Sequence, residues 1–135
     1  MNEEGPRRRD GVERVLDLAE HLEPSDRALL SAIYERGMTA TAFAEAAGQK
    51  ARTVRYRVRK LLDRVSSPGY RAIVAQREAW PRERQRVAEA VFLAGRTQRD
   101  AAKRLGMSLH QVRTEIERIR GLIEANGVTN GEVAG

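Results

Sequence analysis

Apolar residues recur along this chain at spacings of three and four, the period of a helix with one buried face. Val12, Val15, Leu16, Ala19 and Leu22 form the first stripe, starting from Gly11, and Pro24 and Ser25 interrupt it. Leu29, Leu30, Ile33 and Tyr34 form the second, which ends at Gly37. Thr39 then suits the N-cap of a short helix holding Phe43, Ala44 and Ala47, with Gly48 as its stop. Val54, Val58, Leu61, Leu62 and Val65 predict a longer helix over 51–65 with those residues inward. The run Ser66, Ser67, Pro68, Gly69 is the clearest break in the chain. Beyond it, Ile73, Val74 and Ala79 mark the inward side of a helix over 70–79, and Pro81 suits the first turn of one carrying Val87, Ala90, Val91 and Phe92. Gly95 and Thr97 precede a short helix with Ala101, Ala102 and Leu105, which Gly106 stops. Ser108 caps the last helix, with Val112, Ile116, Ile119 and Ile123 buried and Asn126-Gly127 at its end. No segment alternates with a period of two, so an all-α fold is expected.

The stripes come in two copies. Residues 22–65 overlay 80–123 without a gap, an offset of 58 positions that brings Gly37 onto Gly95, Thr39 onto Thr97 and Val54 onto Val112. Ala44 meets Ala102, Gly48 meets Gly106 and Arg55 meets Arg113. These matches fall where a helix-turn-helix has its requirements. Ala44 and Ala102 are the small residues where two helices cross, and Gly48 and Gly106 supply a left-handed turn at little cost. The predicted organisation is two helix-turn-helix units in series, at 11–66 and 70–125. Residues 1–10, with Arg7, Arg8 and Arg9, read as a flexible basic arm, either solvated or touching phosphates. Residues 126–135 read as a disordered tail.

Apolar residues at 41% suffice for a helical core, whereas aromatics at 4% are too few for a single-strand binder built on base stacking. The net charge of +6 attracts a polyanion. Without cysteine, disulfides, thiolate chemistry and Cys-ligated zinc are excluded. The first residues lack the apolar stretch of a secretory signal, and no apolar run reaches the roughly 20 residues that span a bilayer. A cytoplasmic location is expected, nucleoid-associated when DNA is bound.

The positive charge is concentrated where a helix-turn-helix would use it. Lys50, Arg52, Arg55, Arg57, Arg59, Lys60 and Arg64 face a single Asp63, a net +6 that equals the charge of the whole chain. Arg52, Arg55 and Arg59, at i, i+3 and i+7, share a stripe opposite the apolar face. Arginine there bonds guanine O6 and N7 bidentately or clamps a phosphate, and Thr53 and Tyr56 are placed to add contacts. Like charges at i, i+4 repel, so such a face does little for helix stability. In the second copy the corresponding set is Ser108, His110, Gln111, Arg113 and Thr114, and glutamine can read adenine. Here Glu115 and Glu117 oppose Arg113, Arg118 and Arg120, and Glu117 stands in the place of Arg59. This copy either reads DNA weakly or serves as a structural or protein-binding unit.

The stretch Leu22 to Leu30, Gly37 to Thr39, Phe43 to Gly48 and Thr53 to Arg57 resembles the fourth region of bacterial sigma factors, the helix-turn-helix that recognises the −35 promoter element. So does Gly95 to Arg113, where Met107-Ser108 fits the family's turn better than Gln49-Lys50 does. The two matches cover about two-thirds of the chain. The resemblance implies base-contacting roles for Arg52, Thr53, Arg55, Tyr56 and Arg59, and for His110, Gln111, Arg113, Thr114 and Glu117 in the second copy. A complete sigma factor also needs a second region that grips the polymerase and melts DNA with exposed aromatics. This chain has neither the length nor the aromatics for it, so the resemblance implies a small regulator or phage-type DNA-binding protein.

The expected function is thus a non-enzymatic, sequence-specific double-stranded DNA-binding protein that regulates transcription. It would read the major groove with helix 51–65 and, in one arrangement, with 109–123 as well, as a monomeric pseudo-dimer or a homodimer. The expected DNA-binding set is Lys50, Arg52, Thr53, Arg55, Tyr56, Arg59, Lys60, Ser108, His110, Gln111, Arg113 and Thr114. RNA polymerase is the further partner to consider. Two alternatives fit the same sequence: a DNA binder like the small subunit of a phage terminase, and a module that binds RNA polymerase or a sigma factor. No cofactor, metal or membrane partner is expected. His21 and His110 have no cysteine beside them, and the Glu3/Glu4 and Glu115/Glu117 pairs sit among arginines. No phosphate loop or nucleophile motif is present. Trp80, before Pro81, reads as a staple for the start of a helix.

Overall fold

The computed structural model describes the backbone of residues 4–134 and the side chains of 11–125. Among these residues every regular element is helical, which places the chain in the all-α class. The chain divides into two compact units, Met1–Ser66 and Ser67–Gly135. The first holds α1 (Glu4–Ala19), α2 (Pro24–Leu30) continued by a π-helical turn (Ser31–Glu35), α3 (Ala40–Ala47) and α4 (Ala51–Val65). The second holds α5 (Pro68–Gln76) with a 3₁₀ turn (Arg77–Ala79), α6 (Arg82–Val87) continued by a π-helical turn (Ala88–Leu93), α7 (Gln98–Leu105) and α8 (Leu109–Ala134).

Local chemistry sets these boundaries, and it recurs at the offset of 58. The Thr39 side chain accepts a hydrogen bond from the Ala42 amide at 3.0 Å, and Thr97 accepts from Asp100 at 3.1 Å. Gly48 (φ 68°) and Gly106 (φ 67°) close α3 and α7 in the left-handed conformation. There the amide of Gln49 returns to the Ala44 carbonyl at 2.8 Å, and that of Met107 to Ala102 at 3.0 Å. The two π-helical turns also correspond. Arg36 N–H bonds Ser31 C=O at 3.1 Å, and Ala94 N–H bonds Glu89 C=O at 2.8 Å, each five residues back. The turns are then closed by Met38 to Ala32 and Arg96 to Ala90, both 2.9 Å, across the left-handed Gly37 and Gly95.

In the first unit, α1 packs on α2, its π-helical turn and α4, and α3 packs on α4. Its core is Ala19, Leu22, Leu29, Leu30, Ala32, Ala44, Val54, Leu61 and Val65. In the second unit, α5 packs on α8 and on the π-helical turn that follows α6, while α7 packs on α8. Tyr70, Ile73, Val87, Ala88, Leu93, Ala101, Ala102, Val112, Ile116 and Ile119 are buried there. Full burial of each large side chain contributes about 1.5–3 kcal/mol. Ala44 and Ala102, expected where two helices cross, are both buried.

Several details differ from the sequence reading. Tyr70, unassigned in the sequence, is fully buried, whereas Ala79 is exposed because the 3₁₀ turn rotates it away from the stripe. Val58, Leu62, Ile33, Tyr34 and Ile123 are half-buried, lying at the edges of their stripes. Ser67 belongs to the second unit because its side chain caps α5, accepting from the Tyr70 amide at 3.2 Å. Pro81 is the N-cap of α6 rather than its first helical residue. The helical backbone of α1 begins before Gly11, and that of α8 passes Asn126-Gly127. Pro6 falls in the first turn of α1, where a missing N–H is tolerated, and a lone glycine costs a helix only about 1 kcal/mol. The side chains of the expected arm, Arg7 to Arg9 included, and of the expected tail lie outside the described residues.

Candidate nucleic-acid interface

The two long helices α4 and α8 follow the same turn but end up with different surfaces. On α4, Val54, Leu61 and Val65 turn inward, and this fixes what faces out. Lys50, Arg52, Thr53, Arg55, Tyr56, Arg59 and Lys60 are all exposed, so the seven sequence-predicted residues of this unit share one accessible surface. Tyr56 is 58% exposed, and the Lys60 ammonium lies 5.6 Å from its ring centre, within cation–π range. No hydrogen bond or ion pair among the described residues engages the side chains of Lys50, Arg52, Thr53, Arg55 or Arg59. Arg55 and Arg59 flank a groove of about 460 Å³ whose floor is Ile33, Met38, Ala40, Val58 and Leu62, with Thr39 and Asp63 at its rim. The helix opens at Lys50 without a side-chain cap, so the amides of its first turn point outward with the positive end of the helix dipole.

Arg57 departs from this set. Its guanidinium donates to Asp26 of α2 at 2.9 Å, with side-chain exposures of 30% and 21%, so it ties α4 to α2. In the second unit the corresponding positions carry Arg84 and Glu115, which pair at 2.8 Å. Asp26 plus 58 is Arg84 and Arg57 plus 58 is Glu115, so the same bridge is built with its polarity reversed. The sequence overlay pairs these residues, but only the structure reveals that they touch.

The five residues predicted on the second copy are bonded within the chain or lie beside carboxylates. Ser108 and Gln111 form a reciprocal capping box: the Gln111 amide donates to Ser108 Oγ at 3.0 Å and the Ser108 amide to Gln111 Oε1 at 2.8 Å. Thr114 Oγ1 donates to the His110 carbonyl at 2.9 Å, and Arg113 Nε to Gln98 Oε1 at 3.3 Å. The exposed His110 lines a depression of about 270 Å³ together with Glu83 and Glu115. Nearby cations are paired as well. Arg118 meets Glu115 at 3.3 Å, Arg120 meets Glu117 at 4.0 Å, and Arg96 and Arg104 meet Asp100 at 2.8 and 3.2 Å. The Arg96 hydrogen bond, with the charge of Arg104, holds the Asp100 carboxyl below its ordinary range.

The signal for this contrast was present in the sequence. Ser108 and Gln111 spell a capping box at the positions where the first copy has Lys50 and Thr53. No protein-family model matches the chain, and no curated protein or solved structure matches it. Among the described residues no cluster of histidine and carboxylate groups is arranged to hold a metal ion, and no helix is long and apolar enough to cross a membrane.

Proposed function

We propose that this protein binds double-stranded DNA sequence-specifically and regulates transcription, with α4 of the first unit lying in the major groove. The carrying observation is the exposed face of α4, where Arg52, Thr53, Arg55 and Arg59 have no partner within the described residues. A cluster of unpaired like charges weakens a helix by mutual repulsion, and phosphates and base edges relieve that repulsion. A helix-turn-helix inserts the N-terminal half of its second helix into the groove, which is where Arg52, Thr53, Arg55 and Tyr56 lie. The uncapped first turn and Lys50 suit a backbone phosphate. The resemblance to the fourth region of sigma factors supports the same positions. In this reading α8 is chiefly structural, since four of its five candidate readers already bond within the second unit and His110 lies beside Glu83 and Glu115.

The test is selection of bound duplexes from a random library at physiological salt, alongside the Arg52→Ala/Arg55→Ala/Arg59→Ala variant. An enriched element that the variant loses is the expected result. If neither protein enriches an element and both bind at the non-specific level of about 10⁻⁴–10⁻⁶ M, the basic face is not a reader. The alternative of a module that binds RNA polymerase or a sigma factor then takes its place.

A further inference from the structure

We infer that α4 is built to recognise a single, unrepeated DNA element containing two closely spaced guanines flanked by thymine. This inference rests on the reading of α4 as a major-groove helix. It follows from which functional groups α4 offers and which it lacks. Within Ala51–Val65 there is no asparagine or glutamine to pair with adenine N6 and N7. The only carboxylate, Asp63, stands in the last turns, away from the end that enters the groove. The groups offered by that end of the helix itself are the exposed guanidiniums of Arg52 and Arg55 and the exposed side chains of Thr53 and Tyr56, with exposed Lys50 at the N-cap suited to a phosphate and Gln49 outside the helix in the turn before it. A guanidinium fork matches guanine O6 and N7 bidentately. Among the described residues neither arginine has a partner, so no bond there must break for it to do so.

Spacing along the helix limits the arrangement. Three residues advance a helix by about 4.5 Å, while successive base pairs are about 3.4 Å apart. Arg52 and Arg55 therefore reach guanines on neighbouring or next-neighbouring base pairs. Tyr56 lies one turn beyond Arg52 and is 58% exposed, and its ring, 5.6 Å from the Lys60 ammonium, offers carbon surface suited to a thymine methyl. Arg59 and Lys60 sit on the half of the helix that leaves the groove, and their charge goes to phosphates. A second copy of the element is not expected. The equivalent end of α8 is closed by the Ser108–Gln111 capping box, the Arg113–Gln98 bond and the Thr114 bond to the His110 carbonyl.

The experiment uses the full chain and duplexes carrying the element enriched above, followed by fluorescence anisotropy. Each guanine is replaced in turn by 7-deazaguanine, which removes N7 and leaves base pairing intact. The expected loss is about tenfold for each of two guanines. Arg52→Ala or Arg55→Ala, whichever protein lacks the reading arginine, should show no further loss from that replacement. Inosine at the same positions removes only the minor-groove amine and should change affinity by less than about twofold. Circular dichroism of the exposed-site variants checks that they fold. An enriched element that tolerates 7-deazaguanine, or that centres on adenines, overturns the guanine inference while leaving the DNA reading intact. Two copies of the element about one turn apart overturn the single-site part. If no element is enriched at all, the DNA reading itself fails.

Discussion

Reversing the charge of the bridge between α2 and α4 tests whether it holds α4 on α2. Arg57 and Asp26 approach to 2.9 Å, a Coulomb attraction of about 6 kcal/mol at an effective dielectric near 20. Desolvation and side-chain ordering offset most of it. For a pair exposed at 30% and 21%, a net contribution of about 1 kcal/mol remains. Asp26→Arg removes that contribution and sets two guanidiniums face to face. We expect a loss of about 1.5 kcal/mol, since the arginines can swing partly into water. In a unit of this size that lowers the melting temperature by about 6–12 °C. Arg57→Asp should cost a similar amount. Combining the two recreates the polarity that Arg84 and Glu115 already adopt at the equivalent positions. The double variant should recover to within about 0.5 kcal/mol of wild type, the shortfall arising because Asp26 occupies the first turn of α2, where an anion suits the helix dipole. The assay is urea denaturation followed by far-UV circular dichroism, analysed as a double-mutant cycle at constant m-value. Losses that simply add, leaving the double variant about 3 kcal/mol below wild type, would refute the bridge.

Three further outcomes follow from the same geometry. Ser108→Ala and Gln111→Ala should each destabilise the second unit by about 1 kcal/mol in denaturant titrations, with the pair costing less than the sum. DNA affinity should stay unchanged, and a loss there would return α8 to the reading surface. Gly48→Ala meets no atom within 4 Å at its added Cβ, but the backbone stands at φ +68. The cost is then the left-handed strain of about 1–2 kcal/mol, measurable as a fall in urea midpoint, with Gly48→Asn milder. Asp100 titrates below the ordinary carboxylate value of 3.8 because Arg96 hydrogen-bonds it and Arg104 adds its charge. Its contribution is therefore complete above that value and is lost as the pH falls through the lowered one. Carboxyl NMR should show the low titration in wild type and a rise toward the ordinary value in Arg96→Met.

Much of the fold was fixed by local chemistry and so was legible in the sequence. Thr39, Thr97 and Ser108 cap helices because a hydroxyl can satisfy amides that a helix leaves open. Gly48 and Gly106 stop helices because only glycine takes φ near +68° without strain. The three-and-four periodicity located α4 and therefore its basic face, since burying Val54, Leu61 and Val65 leaves Arg52, Arg55 and Arg59 outside. Interactions between distant residues were decided only by tertiary structure. Arg57 counts among the basic residues of α4 in the sequence, yet only the packing of α2 against α4 pairs it with Asp26. Tyr70 carried no periodic signal of its own and is buried by the elements around α5. The π-helical turns also depend on packing, because a five-residue hydrogen bond is stabilised by neighbouring helices rather than by intrinsic propensity. Sequence thus determined which surface of each long helix is polar. Tertiary contacts decided that Arg57 is already paired with Asp26 and Arg113 bonded to Gln98, because those partners lie on other helices, whereas the cap that closes the start of α8 was written locally in Ser108 and Gln111.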